Sequence, residues 1–175
     1  MERIHLLVMK LLFSREQINE RVAELAEQIS RDYAGKQITL LGVLKGGAIF
    51  HSDLARRLKP ETITEFVRTK SYSGTKSTGK IELSCEPGTE NITGRHVIIV
   101  EDIIDTGVTL EFLTGYLTAM NPASLAVVSF LFKREKAQGT KPDYTGFEIG
   151  DDFVVGYGMD HDEKYRNLGE IYILT

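Results

Sequence analysis

The run His96-Val-Ile-Ile-Val-Glu-Asp-Ile-Ile-Asp-Thr-Gly-Val-Thr109 sets two adjacent carboxylates, Glu101 and Asp102, after an apolar stretch, then a third, Asp105, in a turn of small and hydroxyl residues. Val97 to Val100 are β-branched throughout, which suits a strand buried on both faces of a parallel sheet. Open α/β sheets bind ligands beyond the carboxyl ends of such strands. The turn from Asp105 to Thr109 offers main-chain N–H groups and two hydroxyls just before a predicted helix, Leu110 to Met120, whose N-terminus attracts anions. Acids beside a phosphate cradle describe a site for a sugar phosphate, with hydroxyls or a metal ion on the carboxylates and the phosphate on the loop. Asp105 or Thr106 taken alone would serve equally as a helix cap. The sharper reading rests on the order of strand, acids, turn and helix.

The elements that must hold these residues are legible around them. Ser14-Arg-Glu-Gln17 reads as a capping box. From there Ile18, Val22, Leu25, Ile29 and Tyr33 recur at spacings of three and four, one buried stripe of a helix that ends near Gly35. Ile38 to Leu44 is an apolar strand, followed by Lys45-Gly46-Gly47 and a helical stretch from Ala48 to Leu58. Thr62 to Val67 reads as a strand, and Ser71 to Lys80 as a long polar loop without apolar period, of the kind that is functional or disordered. Ser124 to Phe132 is another apolar strand, ending at Lys133; Phe147 to Ile149, Phe153 to Tyr157 and Ile171 to Leu174 read as short ones. Strands alternating with helices predict an α/β fold with a largely parallel sheet covered on both faces.

The chain has 175 residues, 42% of them hydrophobic and 26% charged, which suits one domain with a real core. Its net charge of −4 argues against a general nucleic-acid binder. The single cysteine, Cys85, excludes an internal disulfide and fits a reducing compartment. Ile4 to Phe13 is the one stretch that suggests export or membrane insertion. It is too short to span a bilayer and is interrupted by Lys10, so it reads as an N-terminal strand or packing arm.

Glu101 to Thr109 resembles the 5-phosphoribosyl 1-pyrophosphate motif of the phosphoribosyltransferases. With Leu44-Lys-Gly-Gly47, Lys70-Ser-Tyr72, Lys133, and Phe153-Val-Val-Gly-Tyr157 through Asp160 and Arg166, the chain from about Ile38 onward resembles the hypoxanthine-guanine phosphoribosyltransferases. The resemblance implies a type I phosphoribosyltransferase fold in a single domain, 1–175. Its mainly parallel twisted sheet would be flanked by helices, with a small hood from residues 1–13 and about 145–175. It implies transfer of the phosphoribosyl group to N9 of a 6-oxopurine, hypoxanthine or guanine, in purine salvage. The chemistry would be glycoside-like, with an oxocarbenium-like sugar carbon.

By the same resemblance, Asp105 is the general base at purine N7, and the 5′-phosphate lies on Asp105, Thr106, Gly107, Val108 and Thr109. Glu101 and Asp102 lie by the ribose hydroxyls and a magnesium ion, and Asp160 meets a second magnesium. Lys133 donates to the purine 6-oxo oxygen, Phe153 stacks on the base and Val154 reads its edge through the main chain. Lys45, Gly46 and Arg166 bind pyrophosphate; Ser71 and Tyr72 open a lid. The partners implied are 5-phosphoribosyl 1-pyrophosphate and a purine base, without nucleic acid or membrane, in a cytoplasmic homodimer or homotetramer. His161-Asp162 and the loop centre Gly74 to Gly79 follow no family pattern, which leaves the choice among hypoxanthine, guanine and xanthine open. The alternative is a nucleotide-binding regulator of the same fold with little catalysis. Such a protein has no need to keep Asp105, Lys133, Phe153 and Asp160 together.

Overall fold

The computed structural model describes residues 8–71, 81–137 and 141–175. The first helix, α1 (Arg15–Asp32), opens with the capping box of Ser14 and Gln17 and buries Ile18, Val22, Leu25 and Ile29. Strands β2 (Ile38–Leu44) and β6 (Ser124–Phe132) have the bounds their apolar runs predict. Helix α2 (Ala48–Ala55) stops short of Leu58, and α3 (Val108–Thr118) starts two residues before the predicted Leu110.

With β3 (Thr62–Ser71), β4 (Ile81–Cys85), β5 (His96–Ile104) and β7 (Tyr144–Glu148), six strands form the large sheet in the order β4-β3-β2-β5-β6-β7. All neighbours are parallel except β3 and β4, which pair antiparallel. Side-chain alternation splits the core. Leu40, Ile98, Val100 and Phe130 pack against α1 and α2, while Leu41, Val97, Ile99 and Val127 pack against Leu110, Leu113 and Leu117 of α3. A smaller three-stranded sheet, β1 (Met9–Phe13), β9 (Ile171–Leu174) and β8 (Val154–Val155), joins the two ends of the chain.

Three differences from the sequence-based expectations have physical causes. Strand β7 (Tyr144–Glu148) is hydrogen-bonded to β6 in the large sheet, so the small sheet draws on residues beyond 148 rather than from about 145. Strand β3 runs on past Val67 because β4 pairs with Arg68 to Ser71, a long-range match that polar residues conceal. Strand β5 (His96–Ile104) does not end at Val100; the acids lie within it, because β6 continues to pair with it as far as Ile104 and Phe132. On its other side β2 stops pairing at Gly42 and Val100. Beyond that point one edge of β5 is open, and here the crossovers turn opposite ways, β2 to β3 on one side and β5 to β6 on the other. This is the switch point at which open α/β sheets hold ligands.

Candidate active site

The first part of the site is built from consecutive residues. Gly107 takes φ 84°, a left-handed conformation that glycine adopts without penalty, and it is the N-cap of α3 with no side chain capping the helix. The first-turn N–H groups are therefore free of side-chain acceptors and face an anion-sized space. A cavity of about 110 Å³ lies there, lined by Glu101, Ile103, Ile104, Asp105, Thr106, Gly107, Thr109 and Leu110. Val108 lines neither this cavity nor its neighbour and is more than half exposed.

A second cavity, of about 160 Å³, is lined by Asp102, Ile103, Asp105, Lys133, Phe153, Val154, Met159 and Asp160. Lys133 follows β6, donates its main-chain N–H to Ile104 at 3.0 Å, and is 5% exposed. Its Nζ stands 3.6 Å from Asp105 and 3.8 Å from Asp151, ion pairs too long for hydrogen bonds. Phe153 is half exposed and meets the His161 ring edge-on. Asp105 belongs to both cavities, and its Oδ1 is buried without a hydrogen-bond partner.

The turn after β2 closes the third side, where the Leu44–Lys45 peptide is cis. A Cβ on Gly46 would lie 1.9 Å from Asp102 Oδ2, and one on Gly158, at φ +100°, would lie 2.1 Å from the Gly46 carbonyl oxygen. The glycines are thus required by close approach of β5, this turn and the 158 turn. Arg166 binds back onto this region, donating to the Gly158 carbonyl at 2.8 Å and pairing with Asp160 at 2.6 Å. Its Nε is buried without a partner. Lys45 pairs with Glu163 at 2.6 Å, and Glu163 lies 3.5 Å from Arg166.

The electrostatics favour a bound cation. Burial first, then the charge of Asp102, raises Glu101 well above the ordinary carboxylate range. Burial also raises Asp102 to about 6, against its own and Ile103's N–H groups and the Arg166 charge, with Asp160 raising it further. Among the described residues no three His, Cys, Asp or Glu side chains form a closed metal cage. Two carboxylates, Asp102 and Asp160, on one cavity suit magnesium, which keeps several waters and takes substrate oxygens.

The structure brings together Glu101, Asp102, Asp105, Thr106, Gly107, Thr109, Lys133, Phe153, Val154 and Asp160 on two adjoining cavities, with Lys45, Gly46 and Arg166 at their edge. Tyr72 lies outside the described residues, and Ser71 is the last residue of β3. Sequence reasoning missed Lys136, Asp151 and Glu163. The first lies in the charged run Lys133-Arg-Glu-Lys136, which also suits a solvated strand end, and only the folded loops show its partners.

Residues 13–164 match the family model described as the phosphoribosyl transferase domain. A hypoxanthine-guanine phosphoribosyltransferase of Mycobacterium bovis is 41% identical over 171 residues, covering 94% of this chain and 85% of the relative. A hypoxanthine-guanine-xanthine phosphoribosyltransferase of Tritrichomonas foetus is 40% identical over 167 residues, covering 94% and 91%. The crystal structure of a hypoxanthine-guanine phosphoribosyltransferase from Bacillus anthracis, with a HEPES molecule in the active site, superposes with a TM-score of 0.89 at 43% identity, covering 95% and 98%. With the cradle, the switch-point acids and likeness of this extent, the chain belongs to the phosphoribosyl transferase family, in its hypoxanthine-guanine branch.

Proposed function

We propose that this protein transfers the 5-phosphoribosyl group of 5-phosphoribosyl 1-pyrophosphate to N9 of hypoxanthine or guanine, releasing pyrophosphate. The observation that carries the reading is Asp105 standing on both cavities at once, one built like a phosphate cradle and the other offering a buried lysine and an aromatic face.

In this reading the N–H groups from Asp105 to Thr109, with the Thr106 and Thr109 hydroxyls, hold the 5′-phosphate at the N-terminus of α3. Glu101 and Asp102 orient the ribose hydroxyls. Lys45, the Gly46 main chain and Arg166 hold the leaving pyrophosphate. Asp102 and Asp160 would hold magnesium, which would neutralise charge on the pyrophosphate. Phe153 stacks on the purine, the Val154 main chain reads its edge, and Lys133 donates to the 6-oxo oxygen. The 6-amino group of adenine would set a donor against a donor there. Asp105 accepts or shares the proton at N7 as N9 attacks the oxocarbenium-like sugar carbon.

The family setting suits a cytoplasmic homo-oligomer, and among the described residues no helix is long and apolar enough to cross a membrane. The deciding experiment offers hypoxanthine, guanine, xanthine and adenine separately, with magnesium and 5-phosphoribosyl 1-pyrophosphate, and resolves the nucleotides by chromatography. Nucleotide from oxopurines and none from adenine is the expected result. Binding of 5-phosphoribosyl 1-pyrophosphate with no product from any base would overturn it in favour of a regulator.

A further inference from the structure

Four charged side chains form a closed circuit, two of them, Asp105 and Lys133, on the larger cavity. Lys133 Nζ faces Asp105 Oδ2 at 3.6 Å and Lys136 Nζ faces Asp105 Oδ1 at the same distance. Asp151 is 3.8 Å from Lys133 and in close contact with Lys136. Among the described residues, these two lysines are the cations within ion-pair distance of Asp105. They differ in surroundings, for the Lys133 side chain is 7% exposed and that of Lys136 42%.

In the transferase reading a bound purine competes with Asp105 for the Lys133 ammonium. A lysine that donates to the 6-oxo oxygen spends part of its charge on the base, while Asp105 must approach N7 as an anion in order to take its proton. The oxygen left facing protein is Oδ1, which is buried and has no hydrogen-bond donor. A buried carboxylate oxygen without a compensating charge is costly, and Lys136 is the group aimed at it. Asp151 fixes Lys136 in that place, and its hydrogen bond is the largest influence holding the Lys136 ammonium charged, with Asp105 adding to it.

We propose that Lys136, held by Asp151, is a positioning residue for the transfer: the counter-ion that keeps Asp105 aimed and charged once the purine has claimed Lys133. This role rests on the transferase reading of the site. The arrangement makes one lysine for the substrate and one for the base. Apart from the Asp105 carboxylate, Lys136 pairs with no residue of the phosphate cradle or of the Lys45 turn, so its contribution falls on the purine half of the reaction.

The test uses the full chain with magnesium, 5-phosphoribosyl 1-pyrophosphate and hypoxanthine, comparing wild type with Lys136→Met, Lys136→Arg and Asp105→Asn alone and combined with Lys136→Met. Lys136→Met is expected to lower kcat/KM for hypoxanthine about tenfold, the size of coupling between contacting charged groups. Calorimetric binding of 5-phosphoribosyl 1-pyrophosphate should stay within about twofold of wild type, since no cradle contact is lost. Lys136→Arg should restore most of the loss. In the Asp105→Asn background, Lys136→Met should cost nothing further. Wild-type kinetics in Lys136→Met, a parallel loss of 5-phosphoribosyl 1-pyrophosphate binding, or full additivity with Asp105→Asn would each overturn the role of Lys136 while leaving the transferase reading intact. A wild type that turns over no base would remove that reading, and this role with it.

Discussion

The two cavities that meet at Asp105 are made in opposite ways. The cradle between β5 and α3 is nearly one continuous run of chain, and its chemistry comes from main-chain N–H groups and a helix end. The larger cavity draws Asp102, Lys133, Phe153 and Asp160 from four places in the chain, and its chemistry comes from side chains. A local main-chain site is specified by one glycine, Gly107, and a strand-to-helix order, so it tolerates change in side chains such as exposed Val108. A composite site depends on distant loops being held against each other, and each member can be lost singly. The first suits a constant group such as phosphate; the second suits the part of a substrate that selection distinguishes.

The strongest way to break this division is at its hinge. Asp105→Asn is expected to lower turnover by about 10²- to 10⁴-fold, as loss of a general base does, with little change in 5-phosphoribosyl 1-pyrophosphate binding. Near-normal steady-state turnover would take Asp105 out of that role. Lys133→Ala strikes the composite side alone. A hydrogen bond to a charged group is worth about 1.5–3 kcal/mol, so kcat/KM for hypoxanthine should fall about 10- to 100-fold. Calorimetry should find 5-phosphoribosyl 1-pyrophosphate binding unchanged, and equal losses on both substrates would erase the distinction between the cavities. Gly107→Ala strikes the cradle alone. Forcing an L-residue to φ 84° costs about 1–2 kcal/mol. If that strain reopens the turn, binding of 5-phosphoribosyl 1-pyrophosphate should weaken about 5- to 30-fold, with the selection of oxopurine over adenine preserved.

The same contrast explains which parts of the molecule are legible in the chain alone. Apolar runs with clear stops, Ile38–Leu44 and Ser124–Phe132, are strands to the residue, because continuous burial in a parallel sheet leaves little ambiguity. The cradle is legible for its contiguity. Strand β4 is not, since Ile81–Cys85 alternates half-buried and exposed positions and is made a strand by pairing with β3. The strand expected over Phe153 to Tyr157 is present but reduced to the two residues of β8, because only Val154 and Val155 are matched, by Ile173 and Tyr172. The composite cavity is reachable through family likeness, residue by residue. Lys136, Asp151 and Glu163 escape because a charged loop residue acquires its meaning from the loop opposite.

The smallest expected effect concerns the scaffold that both cavities share. His51 in α2 is 2% exposed and packs beneath Gly42 of β2, the strand whose end forms the open edge at the acids. Its Nε2 lies 3.0 Å from the Leu40 carbonyl oxygen, which makes Nε2 the protonated nitrogen, and its Nδ1 is buried without a partner. Burial lowers His51 below its ordinary 6.5, outweighing the Leu40 carbonyl, which raises it. A histidine depressed in the fold binds its proton less readily there than in the unfolded chain. Its contribution is complete above pH 6.5 and is lost as pH falls from 6.5 toward the folded value. Glu101 and Asp102 act in the opposite sense: raised in the fold, they add stability as pH falls and withdraw it as pH rises, for Asp102 through about 6. The two trends cancel in part in the wild type, so the informative quantity is its difference from His51→Gln. Urea unfolding at pH 7.5 and 5.5 should show wild type losing more stability than the variant over that interval. Equal losses would mean that His51 is hydrated or partnered in solution, and that the floor under the two cavities is looser than its packing against Gly42 and Phe66 implies.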